Sequence, residues 1–167
     1  MSKYLTLIRH AKSSWTDSGL SDFERPLNKR GFRDAPVMAD YFSKRCNVVS
    51  KIVSSPAMRA KTTAEIFAKC FQISENQIQF EKGIYEASAD KLIRIISEFN
   101  PEWEQVVMFG HNPGFSYLAS LLTSELYSKP TCSISEIELH IENWNEIMEG
   151  MGTLKNYDFP KKHSELQ

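Results

Sequence analysis

Leu5-Thr6-Leu7-Ile8 narrows the possible folds of this chain more than any other segment, because an almost wholly apolar run near the amino terminus halts abruptly on Arg9-His10. Such a run reads as a buried strand. With Lys12, Ser13 and Ser14 just behind it, the strand delivers a cation and a nucleophile to the carboxyl edge of a sheet, the place where open α/β sheets bind ligands. The pattern returns twice. Val48 to Val53 is a second β-branched run, ending in Ser54-Ser55-Pro56 and leading into a helical stretch with Arg59 near its start. Gln105-Val106-Val107-Met108-Phe109 is a third, ending in Gly110-His111-Asn112-Pro113-Gly114 before another helical stretch. If the three strands are parallel, Arg9, His10, Arg59 and His111 converge in one crevice.

The segments between these strands carry helical periodicity. Ala35, Met38, Ala39 and Phe42 fall at i, i+3, i+4 and i+7, with Asn28 as an N-cap and the regular part expected to begin near Pro36. Ala60, Ala64, Phe67, Ala68 and Phe71 form a second stripe. Ala89, Leu92, Ile93, Ile96 and Phe99 form a third, stopped by Asn100-Pro101. Ile78 and Phe80 alternate with polar residues as in a short strand, whereas residues 13–28 read as an irregular loop. Strand and helix thus alternate from residue 4 to about residue 122, the pattern of right-handed βαβ units covering both faces of a sheet. Beyond this the character changes. Ile137, Leu139 and Ile141 alternate with Glu136, Glu138 and His140, and Thr153 to Tyr157 is a matching antiparallel partner. The expected fold is therefore a three-layer α/β/α sandwich, its mostly parallel central sheet carrying an antiparallel C-terminal strand pair. From Pro160 onward a solvated tail is expected.

At 167 residues with 41% hydrophobic content, the chain suits a single domain, residues 1–167, with a sizeable core. Lysine and arginine total 20 against 21 acids, for a net charge of −1, and the basic residues are dispersed. No nucleic-acid or membrane partner is indicated. Cys46, Cys70 and Cys132 are widely spaced and odd in number, which fits reduced packing residues in a cytoplasmic protein rather than disulfides or a zinc knuckle. No run has the length of a signal-peptide core or of a membrane span. Trp15, Trp103 and Trp144 are scattered, as packing or surface residues are, rather than grouped as a stacking platform.

Two imidazoles and two guanidiniums with no thiolate nearby favour an oxyanion over a metal, since guanidiniums repel a cation and match the bidentate geometry of phosphate. One imidazole can then attack phosphorus and carry the phosphoryl group covalently. Positioned cations do most of the remaining work, because charge in the loose transition state is spread over the equatorial oxygens. No metal or organic cofactor is required.

Leu7-Ile8-Arg9-His10-Ala11 resembles the Arg-His-Gly nucleophile motif of the histidine phosphatase (phosphoglycerate mutase-like) superfamily. Ser54 to Ala64, containing Arg59, resembles its second arginine motif, and Gly110-His111-Asn112-Pro113 its second histidine motif. Arg9-His10-Ala11-Lys12-Ser13 with Asp22 to Gly31 is similar, more narrowly, to the SixA-type phosphohistidine phosphatases, and the likeness extends through Pro130-Thr131-Cys132. The resemblance implies His10 as nucleophile, Arg9 and Arg59 as phosphate clamps, and His111 as a hydrogen-bonding partner of the phosphoryl group. Ala11 stands where the family has glycine, which is tolerable only at negative φ. For the general acid two carboxylates remain: Glu86, where relatives carry one, and Asp22 in the first loop. Lys12 either touches phosphate or is solvated, and Arg25 is expected to brace the loop through Asp22 or Glu24 rather than line the pocket.

The implied activity is that of a phosphatase working through a phosphohistidine intermediate. Mutases and acid phytases of the superfamily carry long insertions that cover the pocket, whereas nearly all of this chain is needed for the core. An uncovered pocket admits a phosphorylated protein, such as a phosphorelay histidine domain, more readily than it retains a small phosphate ester. The alternatives are a broad small-molecule phosphomonoesterase and a non-catalytic phosphate-binding module.

Overall fold

The computed structural model describes residues 1–125 and 128–167. In chain order the main elements are β1 (Lys3–Arg9), α1 (Lys29–Arg45), β2 (Lys51–Ser54), α2 (Met58–Cys70), β3 (Gln79–Phe80), α3 (Ala89–Ser97), β4 (Gln105–Gly110), α4 (Gly114–Thr123), β5 (Ile134–Leu139) and β6 (Gly152–Asp158). The strands form one sheet in the order β3-β2-β4-β1-β5-β6. The first four are mutually parallel, and β5 runs antiparallel to both β1 and β6.

Alternation along the central strands assigns side chains to two apolar layers. Leu5, Leu7, Val106 and Met108 pack with Leu92, Ile96, Phe115 and Leu118 of α3 and α4, and Trp144 closes this layer. Ile8, Val107 and Phe109 pack on the other face with Met38 and Phe42 of α1 and Phe67 of α2. Each large side chain buried there contributes roughly 1.5–3 kcal/mol of transfer free energy. The three-layer α/β/α architecture with its antiparallel carboxyl-terminal pair is thus the one the periodicities predict.

The register is what builds the site. Arg9 lies opposite Gly110 and Ser54 opposite Phe109, so β1, β4 and β2 end at one level and release His10, His111 and Ser55 side by side. Close packing behind the first loop keeps it there. A Cβ on Gly31 would stand 2.2 Å from the Lys12 carbonyl oxygen, the acceptor of the Asn28 N–H bond, so only glycine permits α1 to start this close to the loop that follows β1.

Three local expectations are corrected. The second strand is Lys51–Ser54 rather than residues 48–53: its pairing with β4 begins at Lys51 opposite Val106, and Val48, beyond the reach of that partner, is 66% exposed. β-propensity without a partner strand does not make a strand. Helix α1 begins at Lys29, capped by the Asn28 side chain accepting from the Gly31 N–H, and continues through Pro36. Burial of Ala35, Met38, Ala39 and Phe42 offsets the cost of proline inside a helix, about 3 kcal/mol. The segment after Pro160 is not a solvated tail. It forms two 3-10 turns, the His163 ring stacks on Tyr41 at 3.8 Å, and Leu166 is buried in the α1 layer. Residues 13–28, expected to be irregular, contain one 3-10 turn, Asp22–Glu24.

Leu166→Ala is expected to lower unfolding stability by roughly 2 kcal/mol, the scale of an incompletely enclosed leucine cavity. Urea titration checks this, since a solvated tail would leave the midpoint unmoved.

Candidate active site

His10 follows β1 directly and is buried. Its Nδ1 donates to the Ala11 carbonyl at 2.8 Å, and because a carbonyl only accepts, this bond fixes the proton on Nδ1 and leaves the lone pair on Nε2. Burial pushes the imidazole pKa down to about 3; the Ala11 bond opposes the shift, while His111, Arg59 and Arg9 add to it. The ring is therefore neutral at pH 7, as a nucleophile must be. Ala11 is fully buried and is not among the residues with positive φ, so the alanine is accommodated without backbone strain.

Thr63 ties this loop to α2. Its Oγ1 accepts from the Ala11 N–H at 3.0 Å and donates to the Arg59 carbonyl at 2.7 Å. Arg59, buried near the start of α2, sends Nη1 to the Asp22 carbonyl at 2.6 Å and Nη2 to the Asp22 carboxylate at 3.0 Å. Arg9 donates from Nη1 to the Lys129 carbonyl at 2.8 Å, and burial followed by the nearby Arg59 charge lowers its pKa. The Nε atoms of Arg9 and Arg59 and Nδ1 of His111 are buried without a hydrogen-bond partner. Unsatisfied donors on two neighbouring cations mark a pocket built for an anion.

His111 follows β4, with its ring centroid 5.3 Å from that of His10 and its Nε2 2.8 Å from the Ser55 hydroxyl. Burial first, then Arg59, lowers its pKa to about 4. The four residues expected to converge are thus brought together.

Asp22 reaches the same place from the first loop. The Tyr85 hydroxyl donates to its Oδ2 at 2.6 Å, and Arg25 pairs with its Oδ1 at 2.8 Å. The Tyr85 bond, with Arg25 and Arg59, holds the carboxyl well below the usual carboxylate range, although Asp22 is largely exposed. Arg25 braces the loop through Asp22, not Glu24, and also bonds the Ser13 hydroxyl. Contrary to expectation it lines the pocket as well, its guanidinium 3.3 Å over the Trp15 ring. Lys12 lines the pocket too.

Two hollows meet here. One of about 260 Å³ holds His10, Arg9, Lys12 and Thr131; the other, about 540 Å³, is lined by Tyr85, Glu86, Ala87, Pro113 and Tyr117. Asp22, Arg59, His111 and Asn112 belong to both. The larger one does not contain His10; the smaller brings His10 together with Arg9 and Arg59, whose Nε atoms lack a partner. Glu86 is exposed on the wall of the larger hollow, in a left-handed backbone conformation with φ of 57°. Such conformations cost energy in a residue other than glycine and cluster at functional sites. Among the described residues no group of three histidine, cysteine, aspartate or glutamate side chains is placed to hold a metal ion. No described helix is long and apolar enough to cross a membrane.

Ser55, Thr63 and Tyr85 were not singled out as site residues by sequence reasoning. Ser55 and Thr63 lie inside the second arginine motif, which was the available signal; Tyr85, next to Glu86, is recognisable only from its contact across the cleft.

An oxyanion pocket with a neutral imidazole and paired guanidiniums at the edge of a parallel sheet defines a phosphoryl-transfer protein. The family model of the histidine phosphatase superfamily (branch 1) matches residues 5–113. An uncharacterised chloroplastic protein of Arabidopsis thaliana is 31% identical over 154 residues, covering 87% of this chain and 71% of the relative. The protein histidine phosphatase SixA, solved with tungstate, shares the fold with a TM-score of 0.81 at 20% identity, over 95% of this chain and 98% of that one. Mycobacterial glucosyl-3-phosphoglycerate phosphatase shares it with a TM-score of 0.70 at 15% identity, over 93% and 98%. The chain belongs to the histidine phosphatase superfamily, and its enzyme class is phosphatase.

Both imidazoles have pKa values lowered on folding, so the unfolded chain binds more protons in acid. The stability gained by keeping them neutral is complete above the ordinary imidazole pKa of about 6.5 and is lost as pH falls toward the folded values. His10→Asn is expected to flatten the fall in urea midpoint between about pH 7 and pH 4.5. An unchanged slope would show that His10 is not buried in neutral form.

Proposed function

We propose that this phosphatase hydrolyses its substrate through a phosphohistidine on His10, in a single domain of residues 1–167. The observation that carries the proposal is a His10 ring whose Nδ1 proton is given to Ala11, which leaves the Nε2 lone pair available in a hollow that His10 shares with Arg9 and Arg59. Nε2 attacks phosphorus, the bond from phosphorus to the leaving group breaks, and the leaving group departs with a proton. Water then attacks the phosphohistidine, releasing inorganic phosphate and restoring the neutral ring. Arg9 and Arg59 hold the phosphoryl oxygens. Ser55 Oγ accepts from the Ala57 N–H and gives its own proton to His111 Nε2, which leaves Nδ1–H to donate to a phosphoryl oxygen.

Of the two carboxylates, Glu86 is the proton donor in this scheme. Asp22 is ionised and committed to Arg25, Arg59 and Tyr85, which makes it a positioning residue for the clamp. The preferred substrate is phosphohistidine on a protein, since among the described residues no insertion roofs the pocket, and an imidazole leaves more readily than a sugar alkoxide. The named activity of SixA and its complex with an oxyanion point the same way. A cytoplasmic location fits three free cysteines, two of them buried.

Rapid acid-free quenching with labelled phosphohistidine protein is expected to trap a base-stable, acid-labile phosphoenzyme that His10→Ala lacks. Equal turnover by wild type and His10→Ala would overturn the mechanism, and binding without turnover by wild type would make the chain a phosphate reader. Arg59→Met should lower kcat/KM by roughly a hundredfold, the scale of losing one preorganised oxyanion donor. Glu86→Gln should slow aryl and alkyl ester hydrolysis more than phosphohistidine hydrolysis. A uniform loss over these substrates would remove Glu86 as the acid.

A further inference from the structure

Beside the phosphate pocket, the 540 Å³ hollow has the size of a small-ligand site but few polar side chains left to offer. Much of its wall is already committed, and the open donors of Arg59 and His111 are those that the proposed mechanism gives to the phosphoryl group. Both Asp22 oxygens accept from protein donors, the Tyr85 hydroxyl is given to Asp22, and Asn112 is held at both ends by the Lys129 carbonyl and the Ser116 hydroxyl. The remaining wall brings Ala87, Ala89, Pro113 and Gly114, which have no side-chain donor or acceptor, and two polar side chains: Ser88, whose hydroxyl already accepts from the Lys91 N–H at the start of α3, and Glu86, which the scheme above assigns to protonating the leaving group. Two aromatic rings complete it. Tyr85 is fixed edge-on between His111, at 5.4 Å, and Phe23, at 5.1 Å, and Tyr117 stands on α4 with 63% of its surface exposed.

A polyol entering this space would lose water from its hydroxyls and find few partners, whereas a flat ring gains apolar and ring-edge contacts. We infer that the larger hollow is the leaving-group subsite and that it selects a planar, hydroxyl-poor ring, aryl or imidazole, over a polyol, with Tyr117 as a specificity-determining residue. The inference rests on the phosphatase function proposed above, because it takes His10 to act from the smaller hollow on a phosphoryl group whose leaving group lies in the larger one.

Binding of non-hydrolysable phosphonates to the full chain tests this without the bias of leaving-group reactivity. Calorimetry would compare methylphosphonate, benzylphosphonate, imidazol-4-ylmethylphosphonate and a polyhydroxylated alkylphosphonate. The ring-bearing compounds are expected to bind at least about tenfold tighter than methylphosphonate, and the polyol no tighter than it. Tyr117→Ala should reduce the ratio of ring to methyl affinity severalfold, and Tyr117→Phe should restore it. A gain for both rings assigns the subsite to aryl and imidazole leaving groups alike, and a gain for imidazole alone to phosphohistidine. Equal affinities across the series, tightest binding of the polyol, no binding of any phosphonate, or a ratio unmoved by Tyr117→Ala would overturn the inference. Phosphonate binding needs no turnover, so a ring preference retained in a chain that forms no phosphoenzyme would sink the mechanism and leave the subsite standing.

Discussion

Two guanidiniums held close together and largely withdrawn from water repel each other, and the rest of the site is arranged around that repulsion. Arg59 depresses the pKa of Arg9, and both act on the two imidazoles, each of which is driven toward its neutral form chiefly by burial. In bulk water two such charges would hardly interact, but with solvent displaced the effective dielectric constant falls and the interaction grows. Asp22 supplies the counter-charge from outside, bonding Arg59 and Arg25 while remaining partly in solvent. A dianion entering the pocket relieves the same repulsion from inside and engages donors that are otherwise unsatisfied.

This concentration of charge is tolerated because the sheet beneath it is so apolar. β1 and β4 are buried along almost their whole length and bring the two layers of core to within one residue of the site. The polar groups of the site appear where the strands stop, and the strands stop together because β1, β4 and β2 are parallel and in matched register. The crevice is a geometric by-product of where hydrophobicity ends in three separate segments.

That is also why so much of the site was legible in the chain. Arg9, His10 and His111 follow apolar runs directly, and Arg59 opens a helix after one, so each carries its own local signal. The antiparallel pair and the helical stripes were equally local, whereas the strand order, in which β1 pairs with β4, had no local signal. What escaped was set by partners distant in sequence. Thr63 matters through a bond to Ala11, 52 residues away, and Tyr85 through one to Asp22, 63 residues away. Val48 has strand propensity but no strand beside it. Leu166 looks like the end of a polar tail until Tyr41 and Arg33 of α1 provide a surface for it.

The Thr63 hydroxyl has a wider consequence. A single oxygen fastens both the backbone that orients the attacking nitrogen and the turn from which Arg59 projects. Neither shifts without the other, so in the proposed mechanism the line of attack on phosphorus is inherited from the seating of α2 on the sheet. Ala64 and Phe67, one and four residues further along that helix, are fully buried in the same layer. Their packing fit therefore bears on how accurately the His10 loop and Arg59 are aligned, so on the proposed mechanism a core substitution along α2 reaches the chemistry as well as the fold.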